Sequence, residues 1–427
     1  MDASVGIGML GCGNVGSALA TLVDEHGADV AARTGVELRI VRVAVRDLAK
    51  TRPVTFDDGV LVDDPTAVVN DPEVDVVVEV MGGVEPARTL TLAAFQAGRP
   101  VVTGNKELLA AAGPELFDAA AKAEVDLLFE AAVAGGIPLI RPLRESLAGD
   151  RVLRVMGIVN GTTNFILTRM AESGATFADA LAEAQSLGYA EPDPTADVEG
   201  LDAGAKAAII ASIAFGVRVV ADDVYCEGIT SITPADIAFA DRLGHVIKLL
   251  AVADAVDGEV AVRVHPAMIP KDHPLASVRD AFNAVFLEGE AVGELMFYGR
   301  GAGGRPTASA LLGDLVDAAV NRRRGTHATV ATLRDARIRP LEELSSQFYL
   351  QLQLFDRPGV LADVARVFGD NGVSIRDVVQ QPLMGEARDV FITHRARESD
   401  MRATVAGLRA LECVDRVGSL IRVIGQE

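Results

Sequence analysis

Short apolar runs alternate with alanine-rich helical stretches through the first third of the chain. Each run is rich in Val, Ile or Leu and is followed by a turn signal, which is typical of a buried strand. The predicted strands are Val5–Leu10, Leu38–Val45, Val74–Val80, Pro100–Thr103 and Leu127–Ala131. The helical stretches between them include Ser17–Glu25, Ala87–Ala97 and Ala110–Ala123. This alternation predicts an α/β domain over residues 1–134, in which helices cover both faces of a doubly wound parallel sheet.

The pattern changes over residues 135–304, where helical stretches are longer and strands are fewer. The predicted helices are Pro138–Ala148, Asn164–Ser173, Thr176–Leu187, Leu201–Phe215 and Ala235–Val252. The predicted strands are Val152–Val159, Glu259–Met268 and Ala291–Tyr298. We expect a central α+β domain here. A helix at about 305–321 is then expected to return to the first domain, and the polar residues 322–347 are predicted to form a linker.

The last segment, residues 348–427, again alternates between apolar runs and helical stretches. The predicted elements are strand Tyr349–Leu354, helix Val360–Asn371, strand Val373–Gln380, strand Asp389–Arg395, helix Ser399–Leu411 and strand Val414–Ile424. The order βαββαβ is that of a ferredoxin-like domain.

Composition and charge exclude several classes of partner. The chain has 427 residues, of which 49% are hydrophobic and 23% charged, and its formal net charge is −20. Because such a surface repels phosphate groups, we expect no nucleic acid and no anionic membrane as partners. The N-terminus has no signal-peptide pattern, and no apolar run reaches the length of a membrane helix.

Cysteine usage points to a reducing compartment. Cys12, Cys226 and Cys413 are far apart and odd in number, so they do not form a disulfide framework. The six histidines form no zinc-binding motif. We therefore expect a cytoplasmic protein that acts on small molecules.

A glycine-rich turn follows the first predicted strand. The segment GCGNVG comprises Gly11, Cys12, Gly13, Asn14, Val15 and Gly16. In a GxGxxG turn between strand and helix, the first glycine permits the tight turn, the second lets the backbone approach a pyrophosphate, and the third lets helix and strand pack closely. The turn therefore predicts a Rossmann dinucleotide-binding domain; the alternative is a purely structural glycine turn.

The end of the second predicted strand bears on the choice of nucleotide. An acidic residue there would bind ribose hydroxyls, whereas arginine suits a 2′-phosphate. Arg46 takes the first exposed position and Lys50 follows one turn later. These cations favour NADP(H) over NAD(H). NAD(H) stays open because Asp47 could still bind a ribose, and both cations could be solvated surface residues.

Two later segments also follow predicted strands, where ligands collect in open α/β sheets. Lys106 lies three residues after the predicted strand Pro100–Thr103 and is placed to touch cofactor or substrate. The segment 130–137 (EAAVAGGI) offers backbone carbonyls and the carboxylate of Glu130, a set of oxygens that can hold a monovalent cation. The alternative for this segment is a closely packed glycine turn between domains.

The predicted reaction centre lies near residue 200. A loop rich in carboxylates, which contains Glu191, leads into a helix on which Asp202 and Lys206 share one face. A lysine at the rim of an apolar helix can be tuned by desolvation to donate a proton to a carbonyl oxygen during hydride transfer. The alternative is a surface ion pair at the start of the helix.

Five segments together resemble homoserine dehydrogenases: GCGNVG, GNKELLA (104–110), NGTTNFILTRM (160–170), GYAEPDPTADVEGLDAGAK (188–206) and GRGAGGRPTASA (299–310). The resemblance covers residues 1 to about 340. It implies NAD(P)-dependent interconversion of L-aspartate 4-semialdehyde and L-homoserine, on the route to threonine and methionine. It also implies that the central domain is both catalytic and dimer-forming.

Residue by residue, the resemblance implies specific roles. It makes Lys206 the proton donor and Lys106 a second active-site lysine. It assigns the amino end of the substrate to Glu191 and Asp202. The remaining implied ligands are Gly188 and Gly303 for the cofactor, and Glu130 with the carbonyls of Val133, Gly135 and Ile137 for Na⁺ or K⁺.

The C-terminal segment resembles an ACT domain, on the residues FDRPGVL (355–361) and NGVSI (371–375). The resemblance implies feedback inhibition by L-threonine and assembly as a homodimer or homotetramer. A purely structural dimerisation module is the alternative for this domain. For the whole chain, two other classes stay open: another NAD(P)-dependent oxidoreductase of a small amino or hydroxy acid, and a non-catalytic amino-acid sensor.

Overall fold

The computed structural model describes residues 4–256, 258–328, 333–383 and 386–425. The strands are β1 (Ser4–Leu10), β2 (Glu37–Ala44), β3 (Leu61–Val62), β4 (Val76–Glu79), β5 (Val101–Thr103), β6 (Leu127–Leu128), β7 (Val152–Ile158), β8 (Tyr225–Cys226), β9 (His245–Val256), β10 (Glu259–Pro270), β11 (Phe282–Gly289), β12 (Gly293–Arg300), β13 (Arg337–Ile338), β14 (Ser345–Phe355), β15 (Ile375–Leu383), β16 (Glu386–Thr393), β17 (Ala396–Arg397) and β18 (Val414–Val423).

The helices are α1 (Asn14–Thr34), α2 (Pro65–Asn70), α3 (Ala87–Gln96), α4 (Lys106–Ala123), α5 (Gly161–Ser173), α6 (Phe177–Ser186), α7 (Thr195–Val198), α8 (Leu201–Phe215), α9 (Pro234–Arg242), α10 (Gly304–Arg324), α11 (Val360–Asp370) and α12 (Glu398–Arg409). Within the described ranges, none of these helices combines the length and the apolar composition that a bilayer crossing requires.

The chain divides into two compact units. The first unit contains Met1–Val155, Gly204–Val224 and Phe282–Ala336, and the second contains Met156–Ala203, Tyr225–Ala281 and Arg337–Glu427. The chain passes between the units within β7 and again within α8.

The first unit is built on a six-stranded parallel sheet in the order β3-β2-β1-β4-β5-β6. This confirms the predicted doubly wound sheet. Buried aliphatic side chains fill its core, among them Ile7, Met9, Val76, Val78 and Leu128. The returning helix is also present, since α10 packs against α1 and buries Leu311 and Leu315 in the same core.

One predicted strand in this sheet is wrong at its C-terminal end. The prediction was Leu127–Ala131, but β6 ends at Leu128 and residues Glu130–Ala132 form a 3-10 turn. The Glu130 amide donates to the Asp314 carboxylate at 2.7 Å instead of to a neighbouring strand. A long-range polar contact therefore ends the strand early.

In the second unit, the predicted helix Ala235–Val252 is wrong. The helix α9 ends at Arg242, and Gly244 has a φ of 74°, a left-handed conformation that favours glycine. Residues His245–Val256 then form β9, which pairs antiparallel with β10 along its whole length. Residues 246–253 are apolar except for Lys248, a pattern that fits a buried strand as well as a helix, so periodicity alone did not decide between them.

The C-terminal segment has the predicted βαββαβ order. The alternate residues Phe348, Leu350, Leu352 and Leu354 of β14 face a core that they share with α11 and α12. Its sheet has the order β18-β14-β16-β15, and β18 also pairs with β10 through Ala267↔Arg422 and Met268↔Val423. The ACT-like domain thus shares one compact unit with residues 225–281.

The segment 322–347, predicted to be a linker, contains regular structure where it is described. Residues 322–324 belong to α10, and Arg337–Ile338 pair with β10. Leu341 and Leu344 are buried against Ala261. The predictions for residues 329–332 lie outside the described residues.

Candidate active site

The glycine turn after β1 has the geometry that dinucleotide binding requires. Gly11 has a φ of 105°, and a Cβ there would lie 2.8 Å from the Val80 carbonyl oxygen. At Gly16 a Cβ would lie 2.6 Å from the Gly11 carbonyl oxygen, so this glycine lets α1 pack onto the turn. Gly13 has open space where a side chain would be, and it starts α1 without a side-chain cap. The free helix N-terminus beside open space suits a pyrophosphate.

A cavity of about 540 Å³ opens beside this turn. Its wall includes Gly11, Gly13, Arg46 and Lys50, so the structure brings these predicted cofactor residues together. Arg52 also lines it and was not singled out from the sequence. The positively charged groups lie at the carboxyl end of β2, where a nucleotide's ribose is expected.

A second cavity, of about 330 Å³, contains the two predicted active-site lysines. Lys106 and Lys206 both line it, together with Val15, Gly135 and Gly301. The lysines are 100 positions apart in sequence, and both belong to the first unit. Two amines at one cavity can bind a negative or carbonyl oxygen and donate a proton to it.

Lys106 owes its place to a buried carboxylate that the sequence analysis missed. Glu79 ends β4 and accepts hydrogen bonds from the Thr103 hydroxyl at 2.7 Å and the Asn105 amide at 3.3 Å. The Asn105 side chain in turn caps α4, whose first residue is Lys106. Burial raises the pKa of Glu79, although its hydrogen bonds oppose that rise. The available signal was a glutamate that ends the apolar strand VVVE.

Asp202 is buried in the second unit and is held by Asn160. The Asn160 Nδ2 donates to Asp202 Oδ2 at 2.9 Å and to Asp197 Oδ1 at 2.6 Å. Asn160 also caps α5 by accepting from the Thr163 amide at 2.8 Å. Asn160 and Asp197 were not singled out from the sequence, although an Asn before a helix is a recognisable cap signal.

Glu191 and Gly188 lie in the exposed turn that follows α6. The Gln185 side chain donates to the Glu191 carbonyl oxygen at 3.1 Å, which ties the turn to the helix. Gly188 has a φ of 74°. The Glu191 carboxylate is therefore accessible to a ligand, and its predicted contact with substrate stays a prediction.

The Glu130 carboxylate is less available to a cation than the sequence indicated, because it already accepts hydrogen bonds. Its two oxygens accept hydrogen bonds from the backbone amides of Leu139, Ile140 and Arg141, at 2.5, 2.7 and 2.8 Å. Among the described residues, no group of three or more His, Cys, Asp or Glu side chains could hold a metal ion. A cation at this turn would therefore depend on backbone carbonyl oxygens.

The predicted cofactor glycine Gly303 is the N-cap residue of α10 and has a φ of 120°. Its neighbour Gly304 lies against the glycine turn, since a Cβ there would be 2.9 Å from Asn14 Oδ1. The structure thus places this segment beside the cofactor turn, within the first unit.

A further cavity, of about 510 Å³, lies in the second unit between the start of α9 and the ACT-like sheet. Gln351, Gln353 and Arg416 line it. Gln351 and Gln353 alternate with the leucines that face α11 and α12, so they point to the other face of the sheet. Amide and guanidinium groups around a cavity of this size can hold a small polar ligand.

A doubly wound sheet, an open glycine turn at its centre and a lysine-lined cavity beside that turn define a nicotinamide-dependent oxidoreductase. Comparison with known families agrees. The family profiles that match are the NAD-binding domain of homoserine dehydrogenase over residues 11–130, homoserine dehydrogenase over 138–316 and the ACT domain over 348–413.

Relatives match over the whole length. The homoserine dehydrogenase of Corynebacterium glutamicum is 50% identical over 426 residues, which cover 98% of this chain and 96% of the relative. The crystal structure of a homoserine dehydrogenase from Thiobacillus denitrificans has a TM-score of 0.94 at 42% identity and covers 99% of this chain and 98% of its own. A hyperthermophilic archaeal homoserine dehydrogenase in complex with NADPH has a TM-score of 0.62 at 30% identity, covering 74% of this chain and 97% of its own. The chain belongs to the homoserine dehydrogenase family.

Proposed function

We propose that this chain catalyses the reversible NAD(P)H-dependent reduction of L-aspartate 4-semialdehyde to L-homoserine, in threonine and methionine biosynthesis. The observation that carries the proposal is the convergence of Lys106 and Lys206 on one cavity beside the cofactor turn. The full-length similarity to homoserine dehydrogenases supports the choice of substrate.

A nicotinamide cofactor held at the turn of Gly11 and Gly13 would supply the hydride that the aldehyde carbon receives. Lys206 donates a proton to the aldehyde oxygen, so that the carbonyl becomes the hydroxyl of the product. Lys106 adds positive charge at the same cavity and stabilises the oxygen as negative charge develops on it. The carboxylates of Asp202 and Glu191 attract the substrate's ammonium group and accept hydrogen bonds from it. In the reverse direction, Lys206 accepts the hydroxyl proton.

Substitution of Lys206 tests this assignment. Lys206→Met should lower kcat by a factor on the order of 10²–10⁴, because the proton donor is lost, while cofactor binding is retained. Lys122→Met, which changes an exposed lysine near the end of α4, is the matched control and should retain activity. Reduced-nicotinamide absorbance reports turnover. A Lys206 variant with full kcat would remove this residue from proton transfer.

The same assay separates the alternatives. A non-catalytic amino-acid sensor would bind nucleotide without turnover of homoserine. A different oxidoreductase of a small amino or hydroxy acid would oxidise a related alcohol with higher kcat/KM than homoserine.

We also propose NADP(H) as the preferred cofactor. Arg46 and Lys50 line the cavity beside the glycine turn. The alternative ligand, Asp47, uses Oδ1 to accept from the Ala49 amide at 2.9 Å. The archaeal relative with bound NADPH supports the same preference. Comparing kcat/KM for NADPH and NADH tests it, and equal values would contradict it.

A monovalent cation, Na⁺ or K⁺, is proposed at the turn 130–137. Glu130 and the carbonyl oxygens of Val133, Gly135 and Ile137 would hold it. Left-handed φ values of 55° at Ala134 and 53° at Gly135 give the tight curvature that gathers carbonyls. Activity and thermal stability should both rise on replacing choline chloride with NaCl or KCl at constant ionic strength. No difference between the salts would contradict the site.

The ACT domain is proposed to make the enzyme sensitive to L-threonine, within a cytoplasmic homodimer or homotetramer. The amide and guanidinium groups at the cavity of Gln351 and Arg416 suit the two charged ends of an amino acid, which supports a ligand of this class. Functionally, we divide the chain into a cofactor domain (1–134, with the returning helix at about 305–321), a catalytic and dimerisation domain (135–304), a connecting segment (322–347) and the ACT domain (348–427).

Initial rates with and without threonine, together with mass determination by light scattering, test the proposed regulation and assembly. Inhibition by threonine at low millimolar concentration or below is expected. A threonine-insensitive enzyme that is still oligomeric would favour the purely structural role for the ACT domain.

A further inference from the structure

The wall of the cofactor cavity beyond β2 is a short turn, residues 46–52. Three cationic side chains of this turn line the cavity: Arg46, Lys50 and Arg52. The carboxylates Asp47, Asp63 and Glu85 line the cavity as well, so its wall carries no clear excess of positive charge. The conformation of the turn therefore decides which of these side chains a nucleotide meets.

Arg52 ties this turn together. Its Nη2 donates to the Asp47 carbonyl oxygen at 2.6 Å, and its Nη1 donates to the Lys50 carbonyl oxygen at 2.8 Å. One guanidinium thus holds both ends of residues 47–50. Only the forked geometry of arginine supplies two fixed donors at this separation, since lysine ends in a single nitrogen.

The turn that Arg52 closes also occupies Asp47. The Asp47 Oδ1 accepts from the Ala49 amide at 2.9 Å, so the carboxylate caps its own turn. In nucleotide-binding sheets, an acidic side chain after β2 binds the ribose hydroxyls of NAD(H). The turn thus occupies one oxygen of the Asp47 carboxylate, while Arg46 and Lys50 line the same wall. This arrangement weakens a contact between Asp47 and the ribose and favours a phosphate.

Arg52 retains a donor beyond these two bonds. Its Nε is buried and has no hydrogen-bond partner within the described residues. The bridging geometry and this spare donor are two separate observations on one side chain.

We propose that Arg52 is the positioning residue that sets the preference of this enzyme for a 2′-phosphorylated nucleotide. It acts by fixing the 47–50 turn, which keeps Asp47 on its own backbone and presents Arg46 and Lys50 to the phosphate. The ligand class is a ribose 2′-phosphomonoester. This inference rests on the proposed preference for NADP(H).

The test uses Arg52→Met, which removes charge and bridge, and Arg52→Lys, which keeps the charge but not the bridge. Arg39→Met is the matched control, because Arg39 is an exposed arginine on β2 outside the cavity wall. For each protein, kcat/KM is measured with NADPH and with NADH, and dissociation constants are measured for 2′-AMP and 5′-AMP.

Both Arg52 variants should lose on the order of tenfold in kcat/KM for NADPH and in affinity for 2′-AMP. Values for NADH and 5′-AMP should stay level or improve, as Asp47 becomes available to the ribose. Arg39→Met should match the unmodified enzyme. Full preference retained in Arg52→Lys would overturn the positioning role, because charge alone would then suffice.

An equal loss with both nucleotides would show a structural role and would also overturn the inference. A different result would refute the proposed cofactor preference itself. If the unmodified enzyme shows no preference for NADPH over NADH or for 2′-AMP over 5′-AMP, the proposed use of NADP(H) is wrong, and the role of Arg52 falls with it.

Discussion

Replacing Arg422 should strongly destabilise the second unit. Arg422 lies on β18, with only 4% of its side chain exposed. Its Nε and Nη2 donate to the two oxygens of Glu398 at 2.5 and 3.0 Å, and its Nη1 donates to Glu227 Oε2 at 2.7 Å. Burial lowers the pKa of the guanidinium, but Glu398 and Glu227 outweigh that effect and raise it above its ordinary value. The arginine therefore stays charged.

The magnitude follows from the burial of the partner. The Glu398 side chain is only 1% exposed, so Arg422→Met leaves an unpaired carboxylate in the interior. Breaking such a pair on one side costs about 3–5 kcal/mol. Glu227 is 29% exposed, and Glu227→Gln weakens only its ion pair with Arg422. This variant should therefore cost about 1 kcal/mol or less. The double variant Arg422→Met/Glu398→Leu should recover much of the loss, because it removes both charges.

Urea denaturation followed by far-ultraviolet circular dichroism measures these differences, since the chain has no tryptophan for fluorescence. Two compact units can unfold in separate steps, so the transition of the second unit must be fitted on its own. Arg409→Met, at an exposed position of α12, is the control and should stay within about 0.5 kcal/mol. A loss in Arg422→Met no larger than that in Glu227→Gln would refute the reasoning.

Two further substitutions test other parts of the second unit. Burial lowers the pKa of Lys248 from its ordinary value of 10.5 to about 8. Between these two pH values, the lysine holds its proton in the unfolded chain and has released it in the folded chain. The free energy of unfolding should therefore rise with pH across this window, and Lys248→Met should abolish the rise. The measurement is the urea midpoint of each protein at about pH 7.5 and about pH 9.5. The same change in midpoint with pH in both proteins would contradict the prediction. Gly228→Ala should destabilise by about 1–3 kcal/mol, because its Cβ would lie 2.1 Å from the Val198 carbonyl oxygen. A melting temperature unchanged from that of the unmodified protein would show that the backbone at Val198 yields freely.

Local pattern predicted much of the fold. Strands β1, β2, β4 and β5, helices α1, α3 and α4, and the βαββαβ order of residues 348–427 follow from short apolar runs and helical periodicity. The element of the second unit that was wrong, residues 245–252, is a mostly apolar segment whose pattern suits a strand or a helix. β11 (Phe282–Gly289) was missed because its apolar stretch is short. Its strand conformation depends on antiparallel pairing with β12, which the local sequence does not show.

The candidate site was predicted where chemistry follows a strand or helix end. The glycine turn, Arg46, Lys106, Asp202 and Lys206 all carry such local signals. Glu79, Asn160 and Arg52 were missed. Each acts on another residue through hydrogen bonds, and those bonds depend on groups that the fold brings together.

The sequence by itself determined the elements, the glycine turn and the chemical types of the reactive side chains, because these depend on neighbours within a few residues. Tertiary structure decided that Lys106 and Lys206 share a cavity, that the Glu130 carboxylate anchors three amides, and that Arg422 joins β18 to Glu227 and Glu398. These outcomes depend on which groups, distant in sequence, are buried next to one another when the chain folds. A buried charge or donor takes whatever partner the packed chain places within bonding distance, and sequence spacing does not encode that distance.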